Sequence, residues 1–161
     1  MQSRTLPILA ALAVLAAILA VPSPAEAQVD LDLRGGVYTD VEDGFLGGGA
    51  LIRLTREWFF NPNLEWVFVS PGDLWTLNAD FHFDLARRGD WSVWAGVGPA
   101  VVFQDFDDGG LRRRNGDDET DFGVNLLAGA GLPLGAVRPF IQGKIVISDE
   151  TEAVVAVGVR F

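Results

Sequence analysis

From residue 29 onward, apolar and polar residues alternate along this chain with a period of two. A β-strand turns successive side chains to opposite faces, so each alternating run reads as a strand with one greasy and one polar face. Eight such runs can be drawn, near 29–39, 44–55, 58–69, 74–86, 91–104, 120–131, 136–147 and 152–161. The clearest is the last: Val155, Val157, Val159 and Phe161 share one parity, and Ala156, Gly158 and Arg160 the other. The connections alternate in kind. Arg56-Glu57, Arg87 to Asp90 and Leu132-Pro133-Leu134-Gly135 read as tight turns; Asp40 to Asp43, Ser70 to Asp73, Asp105 to Glu119 and Ser148 to Glu150 read as acidic or turn-rich loops. The pattern predicts an all-β, eight-stranded antiparallel up-and-down barrel, with short turns at one end and longer loops at the other.

One face of this barrel carries Leu31, Leu33 and Val37; Ala50, Ile52 and Leu54; Leu64, Trp66 and Phe68; Leu77, Phe81, Phe83 and Leu85. It continues with Val93, Val97 and Val101; Phe122, Val124 and Leu126; and Val137, Ile141, Ile145 and Ile147. The opposite face carries Asp30, Asp32, Arg34, Arg53, Asn61, Asn63, Glu65, Asn78, Asp80, His82 and Asp84. Ser92, Gln104, Asp121, Asn125, Arg138, Gln142, Lys144 and Arg160 complete it. Alternation alone does not say which face is inside. A soluble lipocalin-like barrel buries the apolar face; a barrel in lipid buries the polar one. Glycine helps decide. Gly36, Gly47, Gly49, Gly96, Gly98, Gly123, Gly129, Gly131 and Gly158 share the polar parity, against Gly35, Gly48 and Gly143 on the other, and the narrow lumen of eight strands is where small residues belong. Aromatics agree: Trp58, Phe60, Trp91 and Phe161 sit at strand ends by the short turns, and Phe68, Trp75, Phe103 and Phe122 at the loop ends. Two aromatic belts around an aliphatic band is the interface pattern of a transmembrane barrel, so the polar face is expected inside.

The front of the chain changes the compartment. Arg4 precedes an apolar stretch from Leu6 to Val21, and Ala25 and Ala27 form a small-x-small site. Residues 1–27 are therefore expected to be a cleaved signal peptide and 28–161 a single mature domain. The chain is 49% hydrophobic, yet no apolar run after Val21 reaches helical spanning length. The absence of Cys excludes both disulfides and a lipid-modified cysteine anchor. A net charge of −10 argues against nucleic acid, which calls for a basic surface.

With its export signal, eight strands and terminal Phe161, the chain resembles the small OmpA/OmpX-type outer-membrane β-barrels over its whole mature length. In that family a strand ending in Phe, with apolar residues at every second position, is read by the barrel-assembly machinery. The resemblance assigns that role to Val155, Val157, Val159 and Phe161. It implies an outer-membrane location in a diderm bacterium, contact with outer-membrane lipid and lipopolysaccharide, and a monomer. Pro99 departs from the pattern, because a missing N–H inside strand five should break a ladder bond.

Candidate chemistry is sparse. Charges in a narrow lumen must pair, so Arg34, Arg53, Glu65, Asp80, His82, Asp84, Asp121, Arg138, Lys144 and Arg160 are expected to form an internal network, with Asp30 and Asp32 alongside. The network reads as a plug of side chains; a narrow pore for small solutes is the alternative. His82 lies in Asp80-x-His82-x-Asp84, but no Ser near it completes a hydrolase arrangement, and one His with two carboxylates is a weak metal site. A hydrogen-bonding structural His is expected. In the loop 105–119, Arg112, Arg113 and Arg114 could engage lipopolysaccharide phosphates, against the plainer reading of a self-paired solvated loop. The calcium-loop template fails at Gly109. No catalytic, metal or cofactor site is expected. The expected role is structural or surface-interacting, with a small-solute channel second and a soluble periplasmic ligand-binding barrel third.

Overall fold

The computed structural model describes residues 28–39, 43–69, 73–88, 91–105, 119–132, 134–149 and 151–161. These residues form β1 (Val29–Tyr38), β2 (Asp43–Arg53), β3 (Trp58–Val67), β4 (Asp73–Arg88), β5 (Trp91–Asp105), β6 (Glu119–Gly131), β7 (Arg138–Ile147) and β8 (Glu152–Arg160). Each strand pairs antiparallel with its chain neighbours, and β1 pairs with β8 to close the barrel. The expected strands and up-and-down order are those observed.

The β6–β7 connection differs in position from the reading of the sequence. The tight turn is Leu134–Val137 rather than 132–135, with hydrogen bonds between Leu134 and Val137 in both directions. Gly135 takes a φ of 69°, the positive φ that a two-residue hairpin turn places at its first central residue. Glycine adopts that conformation without steric cost, and this sets the turn.

The register fixes the size of the barrel. Directly opposite partners run from Val29 through Ile52, Phe60, Phe81, Val97, Leu126 and Ile145 to Ala153, whose carbonyl accepts from Thr39 N–H. One circuit thus climbs from residue 29 to residue 39 of β1. Eight strands with that stagger tilt by about 40° around a backbone cylinder of radius about 8 Å, which leaves room for side chains and little else.

The greasy parity faces outward. Leu33 is 57% exposed, Leu46 59%, Phe81 40%, Phe122 77% and Val157 59%, and these residues lie on different strands around the circumference. The charged parity is inside: Asp32, Arg34, Glu65, Asp80, His82 and Lys144 are all buried. Ala50 and Ile52 pair with the exposed Leu31 and Val29 and so share the outward face, yet both are covered. The inward glycines are sites of close packing. A Cβ on Gly129 would stand 2.4 Å from Trp94 Cζ2, and one on Gly158 2.5 Å from Phe140 Cζ. The outward Gly143 has nothing within 4 Å.

Proline interrupts the ladder as its missing N–H requires. The β4–β5 pairs lapse between Asn78↔Ala100 and Phe81↔Val97, where Pro99 stands opposite Ala79. Pro62 does the same between β2 and β3, where pairs lapse between Gly49↔Asn63 and Ile52↔Phe60. There the deficit is repaired: Asn61 Nδ2 donates to the Ala50 carbonyl at 2.9 Å, the acceptor that a residue with an N–H at 62 would have met.

Candidate functional site in the barrel interior

The interior is layered along the axis. Its middle layer is polar. Arg34 on β1 lays its Nε and Nη2 edge on Asp32, with Nε to Oδ1 at 2.9 Å and Nη2 to Oδ2 at 2.8 Å. The same Nη2 donates to Asn61 Oδ1 on β3 at 2.7 Å, and Asn61 Nδ2 returns a bond to Asp32 Oδ2 at 2.8 Å. Asp80 on β4 accepts from Asn63 Nδ2 at 3.0 Å and from Asn125 Nδ2, two strands along on β6, at 2.9 Å. Asn78 links the two, donating to Asn63 Oδ1 and accepting from Asn125.

Glu65 is the hub above this layer. Its Oε2 accepts from Lys144 Nζ on the far wall at 2.7 Å, from the Tyr38 hydroxyl at 2.8 Å and from Thr76 Oγ1 at 3.2 Å. Its Oε1 lies 4.0 Å from Arg34 Nη1. The carboxylate is thus shared between two cations and two hydroxyls, the arrangement that makes a buried charge tolerable.

Toward the loops, the lumen is filled by Tyr38, Phe45, Val67, Ala100, Val146 and Val154. Toward the short turns it is filled by Trp94, Leu127 and Phe140. Trp94 Nε1 donates to Gln142 Oε1 at 3.2 Å. Arg160 stacks against both rings of this layer, its Cζ 4.4 Å from the Trp94 centroid and 4.5 Å from that of Phe140. His82 lies parallel to Trp94 at 6.1 Å between centroids.

The charges singled out from the sequence do not all share one network. Arg34, Glu65 and Lys144 meet in the middle with Asp32, and Asp80 is linked to them through Asn63 and Asn61. Arg138 pairs instead with Asp30 at the turn end, where the side chains are partly exposed. Arg53 stands over the Phe59 ring at 5.5 Å, and Asp84 and Asp121 are half-buried toward opposite barrel ends. His82 Nε2 finds no hydrogen-bond partner among the described residues; the ring is held by stacking on Trp94. Arg112, Arg113 and Arg114 lie outside the described residues. Val155, Val157 and Phe161 are exposed, and the Phe161 backbone exchanges hydrogen bonds with Leu31.

The reading of the sequence overlooked the aromatic and aliphatic layers. Parity carried the signal: Trp94 falls in step with Ser92 and Gly96, Phe140 with Arg138 and Gln142, and Tyr38 with Asp32 and Arg34. Among the described residues no group of His, Cys, Asp and Glu could hold a metal ion.

No protein-family model and no curated protein sequence matches the chain. Solved structures do. The N-terminal β-barrel domain of OprF from Pseudomonas aeruginosa aligns with a TM-score of 0.64 at 17% identity, covering 84% of this chain and 98% of that one. Neisserial surface protein A aligns with a TM-score of 0.62 at 15% identity, covering 83% and 94%. The outer-membrane enzyme PagL aligns with a TM-score of 0.54 at 9% identity, covering 82% and 98%. At such identities the likeness speaks for architecture, and one of the three proteins is an enzyme. The chain has the fold of the small eight-stranded outer-membrane β-barrels.

Proposed function

We propose that the protein is an outer-membrane β-barrel with a structural or surface-interaction role and a closed interior. The observation that carries this reading is the surface. Exposed Leu, Val, Ile and Phe side chains run around the barrel wall while charges turn to the axis. Such an apolar area has no stable place in water, where a monomer exposes only a few hundred Å² in one patch. In a bilayer it is the wall of a barrel. Trp58, Trp91 and Phe161 near the short turns, and Phe68 and Phe122 near the loops, mark the two interfaces.

The chain is exported with residues 1–27 removed, and Val155, Val157, Val159 and Phe161 present the assembly signal. The monomer then sits with its short turns in the periplasm and its loops outside. Arg112, Arg113 and Arg114 in the 105–119 loop reach lipopolysaccharide phosphates. The absence of catalysis is supported by His82, which is buried beside Trp94, and by Ser92, whose Oγ is turned to the Gly131 carbonyl.

Single-cysteine labelling on this cysteine-free chain tests the reading. Cysteines at 33, 141 and 157 should be shielded by detergent or lipid from a membrane-impermeant maleimide. Folding should also shift gel mobility without heating. Free labelling of all three in the folded protein refutes the reading. A narrow channel is the second reading; the Lys144–Glu65–Tyr38 bridge across the lumen speaks against it, and steady single-channel conductance in planar bilayers would favour it.

A further inference from the structure

Arg34 and Arg160 present the same chemistry to different surroundings. Arg34 lays its Nε/Nη2 edge on Asp32, a side-on fork that matches the two oxygens of a carboxylate. Arg160 is also buried, and its guanidinium plane is fixed by Trp94 and Phe140 at 4.4 and 4.5 Å. Ring faces hold the plane but take none of the in-plane N–H groups. Arg160 Nε and Nη2, the same edge, find no acceptor among the described residues. Buried guanidinium donors almost always have one.

The neighbouring carboxylates are engaged elsewhere. Asp32 stands directly opposite Arg160 but takes the Arg34 fork and Asn61, and Asp30 takes Arg138. Arg138 itself stands directly opposite Arg160 across the β7–β8 pair. Like charges in opposed positions repel; Asp30 answers Arg138, and no carboxylate bonds the Arg160 Nε/Nη2 edge among the described residues. Arg138 is partly exposed at the turn end of the barrel.

We propose that the turn end of the lumen is a receptor for one oxyanion group, a phosphate or carboxylate, gripped by the Nε/Nη2 fork of Arg160 with Arg138 as the second cation. Under the membrane reading this mouth faces the periplasm, and the group comes either from solution or from an inner-leaflet lipid headgroup. The site itself depends only on the barrel interior.

The test follows arginine Nε–H resonances of the folded mature chain, with Arg34 as internal reference. Inorganic phosphate and acetate are titrated at constant ionic strength in uncharged detergent. Phosphatidylglycerol bicelles form the second arm. A saturating shift of the Arg160 signal, with the Arg34 signal still, is expected. Response to free phosphate identifies a soluble anion; response only in the bicelles identifies a headgroup. Arg160→Lys, which keeps the charge and loses the fork, should weaken the apparent affinity at least tenfold, read on the Arg138 signal; gel mobility confirms that the variant is folded. No saturable shift in either arm, or equal movement of Arg34 and Arg160, overturns the proposal. Detergent contacts of Val155 and Val157 in the same sample report separately on the membrane reading.

Discussion

Removing the cation from the Glu65 hub is the sharpest test of the interior. Lys144→Met keeps the length and apolar stem of the side chain and deletes the ammonium that sits 2.7 Å from Glu65 Oε2. Breaking a buried ion pair by removing one partner costs about 3–5 kcal/mol, because the other charge stays buried. Here the carboxylate keeps the Tyr38 and Thr76 hydroxyls, and Arg34 Nη1 remains 4.0 Å from Oε1. The lower end, about 3 kcal/mol, is therefore expected. With a urea dependence of about 2 kcal/mol per molar, the unfolding midpoint should fall by about 1.5 M. The assay is equilibrium urea unfolding in lipid vesicles, followed by tryptophan fluorescence and by gel mobility. Glu65→Gln combined with Lys144→Met removes both charges and keeps the shape, so it should recover most of the loss. A single variant within about 0.5 kcal/mol of the parent, the error of such work, would falsify the hub. So would a double variant no better than the single one.

Further expectations follow from packing and from the outer wall. Gly129→Ala drives a methyl into Trp94 and should cost about 1–3 kcal/mol in the same urea assay, whereas Gly143→Ala should be neutral or slightly stabilising; equal effects would contradict the assigned faces. Leu33→Arg places a charge on the exposed wall and should lower stability in vesicles by about 2–4 kcal/mol; a barrel indifferent to it has no lipid there. Asn61→Ala leaves the Ala50 carbonyl and one Asp32 bond unmet and should cost about 1–3 kcal/mol, with amide exchange accelerated along β2–β3 first. Uniform acceleration around the barrel would instead show that Asn61 does not patch the ladder locally.

The fold was legible because a strand repeats its faces every two residues and both faces are strongly marked. Val155, Val157 and Phe161 could be set against Arg160 and Gly158 without knowing any contact. Glycine on the polar parity then chose the inside, and the reason is visible at Gly129 and Gly158, where interior rings leave no room for a methyl. The site was legible as a set of inward charges and illegible as a set of partners. Parity says that Arg34, Asp32, Glu65 and Lys144 share a lumen; the stagger of the strands decides that Glu65 meets Lys144 across it while Asp30 meets Arg138 near the mouth. Trp94 and Phe140 were missed because large apolar side chains on a polar parity run against the alternation that revealed the strands. The repair at Pro62 was equally hidden, since it depends on where the Asn61 amide reaches.

The seam of the cylinder joins its two most distant segments: Leu31 and Phe161 trade backbone bonds across nearly the full contour of the chain. Every other strand pairing is a hairpin between neighbours. Zipping can therefore proceed locally from either side, but the ring gains its final row only after the largest loop in the molecule has closed. A half-made sheet would meanwhile offer two unsatisfied margins to any passing strand. Closure of the barrel must finish with the act that is entropically dearest, which makes the β1–β8 junction the step at which help from another protein would count most.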